Sequence, residues 1–211
     1  SRGLQTRGMG RSLRLILPRS MNTLEIIAVA LGIANVGLLV RRSIWNYPFG
    51  MAMVALYLVI FWEARLYGEA GLQVFFFVVQ GWGWWLWARA GGMAQLVEVR
   101  WMNGRARAAA LVLVAGSSVG IGWAMARFTD AALPYADATI AGASVVAQVL
   151  LAMRRVENWA LWIAINVLSI GVYLNRELYL TAGLYVVFLV LATAGLIAWA
   201  KAARSGEAIA A

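Results

Sequence analysis

Two kinds of side chain in this sequence are placed to do chemistry: amides and indoles set inside long apolar runs. In LQVFFFVVQGWGWWLW, Gln73, Gln80, Trp84 and Trp87 are separated by seven, four and three residues, which strings them along one face of a helix. Trp82 and Trp85 crowd the same stretch. In ENWALWIAIN, Trp159, Trp162 and Asn166 again share a face, continued by Ser169 and Tyr173; Tyr185 and Phe188 fall in a later run, and Asn35 in the first. A polar side chain in hydrocarbon is costly unless paired, so Gln73, Gln80 and Asn166 are candidate site residues. Their rival use is hydrogen bonding between helices, which contributes only ~0.6 kcal/mol on average. Tryptophan also forms interfacial belts. That reading suits Trp45, Trp101, Trp199 and Trp87 better than Trp82, Trp84, Trp85, Trp159 and Trp162, which recur at helical spacing beside amides.

Indole faces and amides without buried carboxylates suit a flat ring carrying a delocalised positive charge. Cation–π attraction over tryptophan contributes ~2 kcal/mol or more when desolvated, and amides can serve a carboxamide or sugar hydroxyls. The candidate substrate-binding set is Gln73, Gln80, Trp82, Trp84, Trp85, Trp159, Trp162, Asn166, Tyr173 and Tyr185. The sequence has no cysteine and no histidine, which removes thiolate metal sites, disulfides and the usual acid–base residue near neutral pH. No phosphate-cradling glycine loop, nucleophile–base pair or metal set is visible, so the expectation is a protein without cofactor or metal that is not an enzyme. Glu25 and Glu63 lie near span ends, where ordinary solvation explains them; no Asp, Glu or His at a span centre offers a proton relay.

The elements that must position these groups are transmembrane helices. The 211 residues are 63% hydrophobic and only 13% charged, with a mean hydropathy of +0.76. A soluble domain is roughly 45–50% apolar and about 25% charged, and one core of this size could not hide the excess. Seven apolar runs, at about 23–40, 46–64, 70–88, 108–127, 138–153, 158–175 and 179–200, approach the ~20 residues that cross a bilayer. The short fifth is expected to extend towards Ala136 and Arg154. The fourth holds Gly116-Ser117-Ser118-Val119-Gly120, a small-xxx-small pattern that lets helices approach within the chain or between protomers.

Charge sets the expected orientation. The net charge of +9 sits in short gaps between apolar runs, which favours a topology signal over nucleic-acid binding. Gaps after spans one, three and five and the C-terminal tail hold Arg41, Arg42, Arg89, Arg100, Arg105, Arg107, Arg154, Arg155, Lys201 and Arg204. The other gaps hold only Arg65, Arg127 and Arg176. That asymmetry puts the C-terminus in the cytoplasm and Met21 outside. Residues 1–20, basic and without a signal-peptide core, are set apart as an N-terminal extension, leaving a transporter-like domain over 21–205.

The chain also resembles itself at a gapless offset of 112. Arg42 falls on Arg154, Asn46 on Asn158, Leu66-Tyr67 on Leu178-Tyr179 and Ala70-Gly71-Leu72 on Ala182-Gly183-Leu184. Val74, Phe76, Gly83 and Trp87 fall on Val186, Phe188, Gly195 and Trp199. The expected architecture is therefore all-α: a repeat over 23–88, a linker helix over 108–127 and a second repeat over 138–200. A single span between two three-helix units makes them parallel, as in small solute carriers that bind substrate near the midplane between repeats.

These residues bring a resemblance into view. LEIIAVALGIANVGLLVRRSIWNYPFG, EARLYGEAGLQVFFFVVQGWGWWLW and the stretch from Glu157 to Trp199 resemble the PnuC family of vitamin-precursor transporters over about 24–201. The likeness rests on Gly-Trp-x-x-Trp from Gly81 to Trp85, Asn-Trp-x-x-Trp from Asn158 to Trp162, and Asn166. It implies two parallel three-helix bundles, usually in a homotrimer, that carry nicotinamide riboside across the bacterial inner membrane by facilitated diffusion. It further implies trapping by a separate kinase, in the service of NAD biosynthesis; relatives carry thiamine, riboflavin or deoxynucleosides. The family's pocket residues carry over to Trp82, Trp85, Trp159, Trp162, Asn166 and Gln80. The alternatives are a thiamine or other precursor carrier of the same family, and a membrane substrate-binding subunit that serves a partner.

Overall fold

A computed structural model describes residues 23–63, 67–91, 96–129 and 131–210. The N-terminal extension over 1–20, Met21 and Arg65 lie outside the described residues. Seven helices follow one another: α1 (Thr23–Val40), α2 (Asn46–Glu63), α3 (Tyr67–Arg89), α4 (Gly104–Phe128), α5 (Pro134–Ala152), α6 (Asn158–Asn175) and α7 (Tyr179–Ala210). In lipid every backbone polar group must be satisfied internally, and helices do this segment by segment. Among the described residues, α4, α5, α6 and residues 181–205 of α7 are each long and apolar enough to cross a bilayer, whereas α1 offers the shorter apolar stretch Ile26–Val40. The fold is that of an all-helical, multi-pass membrane protein.

Several ends differ from the sequence expectation: α3 starts at Tyr67 and α5 at Pro134, three and four residues early, and α4 and α7 differ further. The fourth helix starts at Gly104, not 108, because Asn103 accepts a hydrogen bond from the Ala106 N–H (2.8 Å) and caps it, which carries Arg105 and Arg107 into its first turn. The seventh runs on past 200 to Ala210, ten residues beyond the apolar run.

Helices α1, α2, α3, α5, α6 and α7 touch in sequence around a closed ring, α7 returning to α1 and α3 meeting α5. Helix α4 stands outside and packs on α5 alone among the helices. That contact does not use Gly116 and Gly120, whose Cα positions face open space. Ser117 instead lies against Gly142, and Tyr135 against Gly122. The small-xxx-small spacing marks a face of α4 that meets nothing among the described residues.

Local geometry recurs at the offset of 112. Helices α1 and α5 end on arginines in the left-handed region, Arg42 at φ 56° and Arg154 at φ 61°. Each end carries the same two closing bonds: Arg42 N–H to Leu39 O (2.9 Å) and Ser43 N–H to Leu38 O (3.0 Å), then Arg154 N–H to Leu151 O and Arg155 N–H to Leu150 O, both 2.9 Å. This pattern usually takes glycine at the left-handed position. A side chain there costs roughly 1–2 kcal/mol, and Arg42 has a use for its own: Nη1 donates to Val97 O (3.4 Å). The next helices open alike, Asn46 Nδ2 donating to Ser43 O (2.7 Å) and Asn158 Nδ2 to Arg155 O (2.6 Å).

The same end of the ring is packed shut. Trp87 and Trp199, equivalent at the offset, are fully buried, with ring centroids 6.0 Å apart. Each indole crosses to the opposite first helix: Trp87 Nε1 donates to Ala152 O (3.3 Å), and Trp199 Nε1 to Leu39 O (3.1 Å). These two indoles are therefore core, not belt; a buried N–H needs a partner, and a helix C-terminus leaves carbonyls free to supply one. Exposed Trp45 does fit a belt. Residues 96–102 lie across this end as a strap, with Val97 and Val99 buried among Leu39, Ile44, Leu151 and Val156. Arg100 N–H donates to Arg154 O, and Val156 N–H donates to Arg100 O, both at 3.1 Å. Glu157 fixes the strap's end by accepting from Met102 N–H (2.9 Å) and Arg107 Nε (2.8 Å).

Candidate functional site

Inside the ring lies a cavity of about 670 Å³, lined from all six ring helices with Met125 of α4 at its edge. It stops against the tryptophan-packed end; away from that end its lining reaches Asp137 and Arg176, at the start of α5 and the end of α6. These two form an ion pair, Arg176 Nη2 standing 2.7 and 3.0 Å from the Asp137 oxygens. They are the charged residues of the cavity lining among the described residues.

The walls differ in chemistry. Helices α1 and α3 present Asn35, Gln73 and Gln80; α6 and α7 present Trp162, Asn166, Tyr173 and Tyr185. Gln80 and Asn166 are each only 5% exposed. Asn35 is tied down, its Nδ2 donating to Asn46 O (2.7 Å). The amides of Gln73, Gln80 and Asn166 have no hydrogen-bond partner among the described residues. Gln80 and Asn166 are buried and Gln73 half-buried, so three amides facing one cavity are poised for a ligand that supplies the missing partners. The aromatic wall is ordered: Tyr173 and Tyr185 have centroids 5.1 Å apart at 37°, and Phe188 meets Tyr185 edge-on at 6.1 Å and 87°. Trp159 touches the cavity but is 1% exposed and packs edge-on against Trp199 at 5.5 Å, its Nε1 buried without a hydrogen-bond partner.

Seven of the ten residues expected from sequence thus line one cavity: Gln73, Gln80, Trp159, Trp162, Asn166, Tyr173 and Tyr185. Trp82, Trp84 and Trp85 do not. They are 41%, 37% and 49% exposed on the outside of α3, and the Arg89 guanidinium lies 4.0 Å over the Trp85 ring. The inward stripe of α3 runs through Gln73, Phe76, Gln80, Gly83 and Trp87. Helical geometry then turns Trp82 and Trp85 to the far side and leaves Trp84 on the stripe's edge. An exposed indole near a helix end beside arginine fits the interfacial belt, the place the sequence suggests for Trp87 and Trp199 instead.

Residues that sequence reasoning missed are Ser144 and Gln148, both buried and cavity-lining on α5. Each is a single polar group in a run of small apolar residues, with no pattern to mark it. Gly50 was also missed. Tyr47 lies against Gly83 and Trp159 against Gly195, again 112 apart, so that α2 approaches α3 as closely as α6 approaches α7.

The family described as Nicotinamide mononucleotide transporter matches residues 22–201. The chain is 27% identical over 209 residues to the nicotinamide riboside transporter PnuC of Escherichia coli (strain K12), covering 87% of each. It is 34% identical over 191 residues to the protein of that name from Neisseria mucosa, covering 84% of this chain and 72% of that one. A riboflavin/roseoflavin transporter, RibM of Streptomyces davaonensis, is 25% identical over 178 residues, covering 83% of each. The crystal structure of the vitamin B3 transporter PnuC superposes with a TM-score of 0.71 at 30% identity, covering 86% of this chain and 82% of that one.

Proposed function

This chain belongs to the nicotinamide mononucleotide transporter family, a family of transporters that includes the PnuC proteins, and on that premise we propose that it carries nicotinamide riboside across a bacterial plasma membrane by facilitated diffusion. The observation that carries this reading is the two-walled cavity, with the unpartnered Gln73 and Gln80 on one side and Trp162, the tyrosines and Asn166 on the other. Nicotinamide riboside has a matching division: a cationic pyridinium for the indole, and a carboxamide and ribose hydroxyls for the amides. The volume of about 670 Å³ falls within the usual ~300–1,000 Å³ of small-molecule sites.

The two halves at the 112-residue offset act as parallel three-helix repeats joined by α4, with substrate between them. The packed end, which carries Arg42, Arg100, Arg107, Arg154 and Arg155, faces the cytoplasm by the positive-inside rule. The cavity is then reached from outside, past Asp137 and Arg176. Release inward requires the tryptophan-packed end to part, and the homotrimer implied by the family resemblance would repeat this path three times. A substrate-binding subunit would need only one open end; a repeated architecture with a second, packed end supports a carrier.

Reconstituted into proteoliposomes, the protein is expected to exchange labelled nicotinamide riboside with no proton or sodium gradient, since the one carboxylate in the cavity lining among the described residues, Asp137, is paired with Arg176. Net uptake of the cation should still respond to voltage, by ~2.3 kcal/mol per elementary charge per 100 mV. Loss of exchange when the proton gradient is collapsed would exclude facilitated diffusion. Uptake of thiamine or riboflavin but not of the riboside would move the substrate while leaving the mechanism standing.

A further inference from the structure

The two halves differ most in side-chain size at one pair of equivalent inward positions. At the offset of 112, Gly50 on α2 corresponds to Trp162 on α6, so one wall has no side chain where the other has the largest. Gly50 is buried inside a helix, where glycine weakens the helix relative to alanine. A Cβ there would overlap Gln80 Oε1 and stand 2.6 Å from Asn35 Nδ2. Both amides therefore rest directly on the α2 backbone, in a notch that only glycine leaves free. Asn35 is held in it by its bond to Asn46 O (2.7 Å), one turn before Gly50. Gln80 has no hydrogen-bond partner among the described residues and only the notch to set its depth.

We propose that Gly50 is a specificity-determining residue: by seating Gln80 and Asn35 against the α2 backbone, it sets the space and the hydrogen-bonding groups that receive the hydroxylated half of a nucleoside-like ligand. Its counterpart Trp162 takes the flat ring across the cavity. Gly50 touches no ligand itself and acts through Gln80. This inference rests on the riboside reading above, from which its test can be separated.

The test is a double-mutant cycle on the full chain in detergent, with nicotinamide riboside titrated calorimetrically into wild type, Gly50→Ala, Gln80→Ala and the double variant. Gly50→Ala is expected to lose at least about 10-fold in affinity, because the new methyl pushes the Gln80 amide into the ligand's space and misplaces its hydrogen bond. In the Gln80→Ala background the same change should cost clearly less, what remains coming from Asn35 Nδ2 at 2.6 Å, a coupling that independent sites do not show. Melting temperatures should separate positioning from general packing: if Gly50→Ala fails to fold and the double variant folds, Gln80 is what the methyl meets and the proposal stands. Additive losses, affinity within twofold of wild type for Gly50→Ala, or failure of both Gly50 variants to fold would each overturn it. A wild type that binds no riboside would sink the functional reading instead.

Discussion

Replacing Trp87 and Trp199 together by phenylalanine is expected to raise cytoplasmic labelling of a cavity cysteine by about 30-fold. The chain has no cysteine, so Ser144→Cys, at a buried cavity position, gives a single reporter. In the wild-type background an impermeant thiol reagent should reach it from outside only. The two indole N–H groups donate across the ring to Ala152 O and Leu39 O, bonds available only while that end is closed. Phenylalanine keeps most of the ring volume and removes both donors. Each bond contributes ~1 kcal/mol net, and a two-state equilibrium moves tenfold for each ~1.4 kcal/mol. Unchanged cytoplasmic labelling in the double variant would show that the crossed bonds do not hold the end shut. Labelling of the wild type from the cytoplasmic face alone would invert the orientation drawn from the arginines.

The helices were legible because bilayer physics writes them in composition: the sixth apolar run, 158–175, is α6 to the residue. The 112-residue offset was equally readable, and it pairs hydrogen bonds as well as residue types, down to the left-handed Arg42 and Arg154. Facing was harder to read. Seven indoles on α3, α6 and α7 divide between core, cavity and surface according to small angular differences, and the sequence pattern alone misplaces five of them. Trp82, Trp84 and Trp85 face outward, while Trp87 and Trp199 are interior because each finds a carbonyl on a helix more than sixty residues away in sequence. No local pattern encodes such a partner. Gly50 and Gln148 were silent for the same reason: a glycine inside an apolar helix reads as a weak helix former until the amides packed on it are seen.

The largest loss of binding is expected at Asn166. Replacing it by leucine keeps a similar volume in the cavity wall and removes an amide that no described residue satisfies. The ligand group it serves is then buried without a partner at a cost of ~1–3 kcal/mol, so affinity should fall by ~5- to 150-fold. The folded protein should lose nothing, since the substitution breaks no intramolecular bond. Melting temperature and yield from membranes should therefore match wild type. Trp162 separates charge from shape. The oxidised and reduced ribosides share ribose and carboxamide, but only the oxidised ring is cationic, so Trp162→Ala should cost the oxidised form ~0.5–2 kcal/mol more. Titration of both ligands into both variants gives the comparison directly. Equal losses for the two forms would make Trp162 a packing surface, and wild-type affinity in Asn166→Leu would take the amide out of the site. Were both to occur together, the two-walled cavity would be a solvent-filled gap between helices and the riboside reading would lose its support in this structure.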